Sequence, residues 1–184
     1  MEIDKIKKHL KPYSISGKRK STINHAFASA LAINDEYLEE RVRKALEILE
    51  VIIDGKLFCF YCDTNEATTW DHVVSLVKNR EFQGYGHQIG NLIPSCSTCN
   101  SKKGGKEWGT FLESKFTGGV LLNKKQKLQE YINKNVTNTL PIINMFTEEL
   151  EEYRKIKEEI FKKLEEADAV AERIRKKVIN KLNE

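Results

Sequence analysis

The chain carries four cysteines, and all of them fall into two C-x2-C pairs. Cys59-Phe60-Tyr61-Cys62 comes first and Cys96-Ser97-Thr98-Cys99 second. No other feature limits the fold as tightly. A C-x2-C pair grips one ion from a tight turn, and two such turns complete tetrahedral coordination of Zn2+ at Zn–S distances of about 2.3 Å. Four sulfurs leave no open position, so the expected zinc is structural, and its binding couples to folding. Four unrelated thiols, or a redox CxxC, are the other readings of the same residues.

No apolar run approaches the roughly 20 residues that span a bilayer. Met1-Glu2-Ile3-Asp4-Lys5 lacks the apolar stretch of a signal peptide. The expectation is a cytoplasmic protein without a membrane partner, where paired CxxC motifs serve as metal ligands rather than disulfides. The 184 residues, 40% hydrophobic and 32% charged, suit a globular domain with helical arms. A net charge of +4 is too small to establish a nucleic-acid partner. Its distribution is more telling. Residues 1–33 hold Lys5, Lys7, Lys8, Lys11, Lys18, Arg19 and Lys20 against Glu2 and Asp4. Such an arm contacts phosphates or is a solvated tail.

The pattern predicts an α+β fold, mostly helical. Segment 1–55 reads as a basic N-terminal arm and helices. Ile23, Phe27, Ala30 and Leu31 recur at helical spacing. A second helix is expected to start at Asn34 or Asp35 as cap, with Leu38, Val42, Ala45, Leu46, Leu49 and Ile53 as its apolar stripe. Asp54-Gly55 ends it or makes a turn. Segment 56–117 holds the cysteines, with strands near Leu57-Phe58 and Ala67 to Val74. A Gly-rich loop and a helix from about Ser97 follow. Phe111 and Leu112 are expected in the core, and so are Trp70 and Trp108, for which base stacking is the other reading. Segment 118–184 is helical. From Thr147 to about Leu182 it lacks Gly and Pro, and Leu150, Tyr153, Ile160, Leu164, Ala167, Ala171, Ile174 and Val178 follow a heptad with Lys157 skipped. That helix packs on the N-terminal helices or joins two copies as a homodimer.

Three elements, CFYC, TTWDHVV and GNLIPSCSTCNSKKG, and the order in which they occur carry a resemblance. Together they resemble the HNH endonuclease family, built on a ββα-metal core. The likeness covers roughly residues 56–113. It implies that Asp71 is a carboxylate ligand to a catalytic divalent cation, Mg2+ or Mn2+. His72 would be the general base that deprotonates the attacking water. Asn91 would fix the loop and the orientation of the histidine, and Asn100 would supply a side-chain oxygen to the cation. The implied reaction is hydrolysis of DNA phosphodiester bonds, leaving 5′-phosphate and 3′-hydroxyl ends, in a restriction-type or defence endonuclease. RNA or branched DNA as substrate, and a non-catalytic zinc module that binds nucleic acid or protein, are the alternatives.

This chemistry is sound on its own terms. Mg2+ prefers oxygen ligands and retains waters. A neutral imidazole accepts a proton near neutral pH. Asp71 and His72 are adjacent, so on a strand they face opposite ways. A strand end or bend is then needed beside them. Lys102, Lys103 and Lys106 follow Asn100 and are candidate backbone contacts or solvated helix residues. His87 is a phosphate contact or an ordinary loop residue. His9 and His25 lie outside the motif.

Overall fold

The structure is a computed structural model and describes residues 3–184, apart from the Lys8 side chain. Met1, Glu2 and that side chain, all part of the expected basic arm, lie outside the described residues. The fold is α+β and mostly helical, as expected. A 3-10 helix at Ile3–Lys8 precedes α1 (Ile15–Leu31) and α2 (Glu39–Glu47). Short strands follow: β1 (Ile52–Ile53), β2 (Lys56–Leu57), β3 (Thr69–His72), β4 (Val77–Lys78) and β5 (Glu81–Phe82). A 3-10 turn at Ile89–Asn91 leads into β6 (Leu92–Ser95), and then come α3 (Ser97–Lys103), α4 (Trp108–Glu113), α5 (Gly118–Asn135), α6 (Leu140–Ile143) and α7 (Thr147–Leu182).

The chain divides into two compact units, Met1–Asn24 with Phe146–Glu184, and His25–Met145. These units do not follow the three sequence segments. In the second unit, Leu46 near the end of α2 and Leu128 and Tyr131 of α5 sit in the same core as Phe60, Tyr61, Ile93 and Leu112. Burying those side chains is the main favourable term holding the unit together. Three antiparallel ribbons serve it: β1–β2, β3–β6 and β4–β5. Asp54 and Gly55 both take positive φ (48° and 75°), which is what a two-residue turn between β1 and β2 requires.

Two expectations for α2 are corrected. Asp35 does not cap it. The helix starts at Glu39, and the Asp35 carboxylate instead accepts from the Ile89 amide at 2.8 Å. Leu38 and Ile53, expected on the apolar stripe, are exposed, whereas Ala45, Leu46 and Leu49 between them are buried.

In the first unit, α7 spans the predicted range but presents a different face. Its half-buried positions are Leu150, Tyr153, Lys157, Phe161, Leu164, Asp168, Ala171 and Arg175. Ile160, Ile174 and Val178 are exposed. A straight helix at 3.6 residues per turn drifts away from a 3.5-residue repeat, so the covered stripe slips by one position along the helix. Asp168 fixes that register. Its carboxylate accepts from the amides of Ile15 (2.7 Å) and Ser16 (3.0 Å) and the hydroxyls of Ser16 (2.7 Å) and Ser14 (3.0 Å). It thus caps the N-terminus of α1 from α7.

Candidate active site and zinc cluster

The first cysteine pair lies in a turn after β2, and the second spans the start of α3. Cys62 and Asp63 donate their amides to the Cys59 carbonyl. Lys124 of α5 reaches into this turn, giving hydrogen bonds to the Phe60 carbonyl and the Asp63 carboxylate, both at 2.7 Å, with its ammonium over the Phe60 ring. The four sulfurs are free thiols and all lie within 4.8 Å of one another. A tetrahedron with 2.3 Å bonds needs sulfurs about 3.8 Å apart, so the cluster suits zinc. The thiol chemistry agrees. Burial opposes ionisation of Cys62, but hydrogen bonds from Thr64 and the Asn65 amide outweigh it and bring the thiol down to about 6. Cys96 is lowered in the same way against its burial, by the Cys99 amide and the Asn65 side chain. Burial pushes Cys59 up, and it pushes Cys99 up to about 12 with the help of Cys96. Four sulfurs this close cannot all ionise unless a cation shares them.

The ββα unit is assembled on that cluster. β3 pairs with β6, with Thr69 opposite Ser95 and His72 opposite Leu92. α3 follows Cys96 directly. Thr69 and Asp71 share one face of β3, and α3 covers it. The Asn100 side-chain amide donates to the Thr69 hydroxyl oxygen at 3.0 Å. That hydroxyl spends its own proton on the Ser95 carbonyl at 3.1 Å. Thr69 can therefore only accept, which orients the Asn100 amide and leaves its Oδ1 without a donor among the described residues.

One turn further along α3, Lys103 reaches the same strand. It is 1% exposed and pairs with Asp71, itself 6% exposed, at 3.1 Å from Oδ2. The same ammonium donates to the His72 carbonyl at 2.7 Å. Tyr61, between the first two cysteines, donates its hydroxyl to Asp71 Oδ2 at 2.6 Å. Burial, then the neighbouring Asp71 charge, raise the phenol far above its ordinary range, so it stays a donor. Both donors use Oδ2, and Oδ1 of Asp71 has no donor among the described residues. Asp71 and Asn100 thus each keep one oxygen open at a single strand–helix junction, a donor set that suits a hard divalent cation.

His72 ends β3, as the opposed directions of Asp71 and His72 require. The next two residues are held by Asn91, which is fully buried. Its carbonyl accepts from the Val73 amide (2.9 Å), its side-chain oxygen from the Val74 amide (2.8 Å), and its side-chain amide donates to the carbonyls of Val74 and Gly86 (3.1 Å each). Asn91 therefore clamps the loop that follows the histidine. His72 Nε2 lies 3.1 Å from His87 Nδ1. Burial, followed by the neighbouring His87 and Lys103, brings the His72 imidazole down to about 4. It is neutral at physiological pH, and the same shift makes it a weaker proton acceptor than a free imidazole. The loop that brings His87 here runs against Ile33, and a Cβ on Gly86 would strike the Ile33 backbone.

Two sequence expectations change at this site. Lys103, expected at the surface, is buried with its ammonium against Asp71 and the His72 carbonyl. Lys102 and Lys106 are exposed, and Lys106 lies against the Lys102 carbonyl (2.9 Å) and the Phe111 ring. Trp70, expected in the core, is 46% exposed. The roles of Tyr61, Thr69 and Lys103 were missed. For Lys103 the signal was available, since it sits one helical turn beyond Asn100.

Residues 59–106 match the model of the HNH endonuclease family. No curated protein and no solved structure matches the chain. The HNH match spans both cysteine pairs, Asp71, His72, Asn91 and Asn100, and it points to a nuclease-type function that acts on nucleic acid. Among the described residues no helix is long and apolar enough to cross a membrane.

Proposed function

We propose that the protein is a divalent-metal-dependent HNH endonuclease that hydrolyses DNA phosphodiester bonds. One observation carries the reading: Asp71 and Asn100 each hold an unclaimed oxygen on the face where β3 meets α3, and His72 follows Asp71 at the end of the same strand. Bound there, Mg2+ or Mn2+ would stabilise negative charge on the scissile phosphate and the departing 3′ oxygen. The remaining work belongs to the chain. In the tautomer whose Nε2 donates to His87 Nδ1, Nδ1 of His72 is the nitrogen that accepts the proton of the attacking water. Asn91 holds the strand end from which His72 projects. Lys103 fixes the Asp71 carboxylate and the His72 main chain together. The cysteine cluster keeps the turn after β2 against the start of α3.

A restriction or defence role fits a small chain of this kind. The exposed Ile160, Ile174 and Val178 of α7 offer a seam for a two-fold homodimer, which would supply one site per DNA strand. One observation favours a second reading, a zinc module without catalysis: the Lys103 ammonium already sits on one oxygen of Asp71. Plasmid nicking in Mg2+ or Mn2+ decides between them. Cleavage that vanishes in His72→Ala, and leaves 5′-phosphate and 3′-hydroxyl ends, supports the endonuclease. Absence of cleavage, or cleavage undiminished in His72→Ala, overturns it. Single-stranded, branched and RNA substrates assayed in parallel separate the alternatives of substrate.

A further inference from the structure

On the face of β3 opposite Asp71, a cleft of about 260 Å3 opens beside the histidine pair. Trp70 and His72 alternate onto this face together, and His87, bonded to His72, lines the cleft. The floor is apolar, with Val42, Ile89 and Leu92. Two aromatic rings stand at its walls, Trp70, 46% exposed, and Tyr37, 75% exposed. Exposed rings this size over an apolar floor are costly to leave in water unless something flat covers them.

The charge at the rim restricts the occupant. Asp35 and Glu36 contribute carboxylates and the cleft has no lysine or arginine lining it. Asp35 Oδ2 is taken by the Ile89 amide and by Arg41. Its Oδ1, and both oxygens of Glu36, have no donor among the described residues. The acidic rim thus offers acceptors and no cationic partner for a phosphate. A flat ring that carries N–H donors is favoured, because carboxylates accept from the amino edge of a base. Along β3, Trp70 lies two residues from His72, about 7 Å, so a base held at Trp70 belongs to a nucleotide near the phosphate that meets His72.

From this geometry we propose that the cleft is a nucleobase subsite: it takes one amino-bearing base, within two nucleotides of the cut phosphate, unstacked between Trp70 and Tyr37. The proposal rests on the endonuclease reading and deepens it. A base can enter only if it has left the helix stack, so the preferred substrate is DNA with an unpaired or easily flipped nucleotide at that position.

The test uses the full, zinc-loaded chain on a DNA duplex whose cut site has been mapped. Wild type and Trp70→Ala are compared on intact duplex and on duplexes made abasic at each position within two nucleotides of the cut. Base–aromatic stacking is worth 1–3 kcal/mol by alanine substitution. Trp70→Ala should therefore lower kcat/KM roughly 5- to 150-fold on intact DNA, chiefly through KM. At one position the abasic duplex should cost wild type a similar factor, and there Trp70→Ala should cost nothing more. A mismatch at that position should speed cleavage. Full kcat/KM for Trp70→Ala on intact DNA, or an equal loss on every abasic duplex, overturns the subsite. So does slower cleavage of the mismatch. If wild type cleaves no DNA, the endonuclease reading itself fails, which is a separate result. Should Trp70→Ala not fold, Tyr37→Ala, at a more exposed position, runs the same comparison.

Discussion

The buried pair between Lys103 and Asp71 makes a quantitative prediction that also governs how the active site must be probed. The ammonium is 1% exposed and the carboxylate 6%, with 3.1 Å between them. Asp71→Asn leaves Lys103 charged among the carbonyls of His72 and Gly104, with no opposite charge. Lys103→Met leaves the Asp71 carboxylate with only the Tyr61 hydroxyl, and the His72 carbonyl loses its donor. Breaking one side of a buried pair costs about 3–5 kcal/mol, because the other charge stays buried. The sum of the two changes would be roughly 6–10 kcal/mol. In the double variant neither charge remains, so the loss should fall short of that sum by about 2–3 kcal/mol. Urea unfolding of zinc-loaded protein, on all four members of the cycle, gives the number. Additivity within ~0.5 kcal/mol would refute the pairing. One consequence is practical. Loss of cleavage in Asp71→Asn confounds a missing cation ligand with a damaged fold, so His72→Ala is the cleaner catalytic control.

The zinc cluster predicts that Cys99→Ser, or removal of zinc by a chelator, unfolds the second unit. Structural zinc contributes roughly 10–16 kcal/mol of apparent binding energy in comparable small sites. A variant that melts unchanged, or wild type without one zinc per chain, contradicts it. Asn91→Ala orphans the Val74 amide and the carbonyls of Val74 and Gly86 and should cost about 2–4 kcal/mol in denaturant unfolding; a loss under ~0.5 kcal/mol would mean the clamp is dispensable. Asp168 predicts a pH dependence for the helical first unit. Hydrogen bonds from Ile15, Ser16 and Ser14 hold its carboxyl at about 2, below the ordinary 3.8. A depressed carboxyl stabilises fully above its unfolded value, so the contribution is present above pH 4 and lost as pH falls towards 2. Circular dichroism should show wild type losing its advantage over Asp168→Asn across that window. A constant difference between them at every pH would exclude the capping role.

How much of this was legible depends on the length scale of each signal. The zinc cluster was readable because the ligands announce themselves in pairs, and the ββα core because β3, β6 and α3 lie within one short stretch. Thr147–Leu182 was readable as helix for the same local reason. The face of that helix was not, because register depends on Asp168 meeting Ser14, Ile15 and Ser16, residues some 150 positions away. The same limit explains Asp35. Its position before α2 resembles a cap, but its partner is the Ile89 amide, which only the folded loop brings near.

Lysines and tryptophans show the opposite error, in which average behaviour misleads. Lys103 was grouped with Lys102 and Lys106 as a surface cation, since lysines are almost never buried unless paired. Three steps past Asn100 on α3, however, it must face the strand that Asn100 faces, and a carboxylate is waiting there at Asp71. Trp70 was assigned to the core because tryptophans usually are buried. Alternation along β3 forbids this: once Thr69 and Asp71 turn towards α3, Trp70 and His72 must turn away from it. The side chain that shares a face with His72 is then a large exposed ring. The two corrections come from two local periods, the helical turn between Asn100 and Lys103 and the two-residue alternation of a four-residue strand, and both can be read from the sequence once Asp71 and Asn100 are placed on one face.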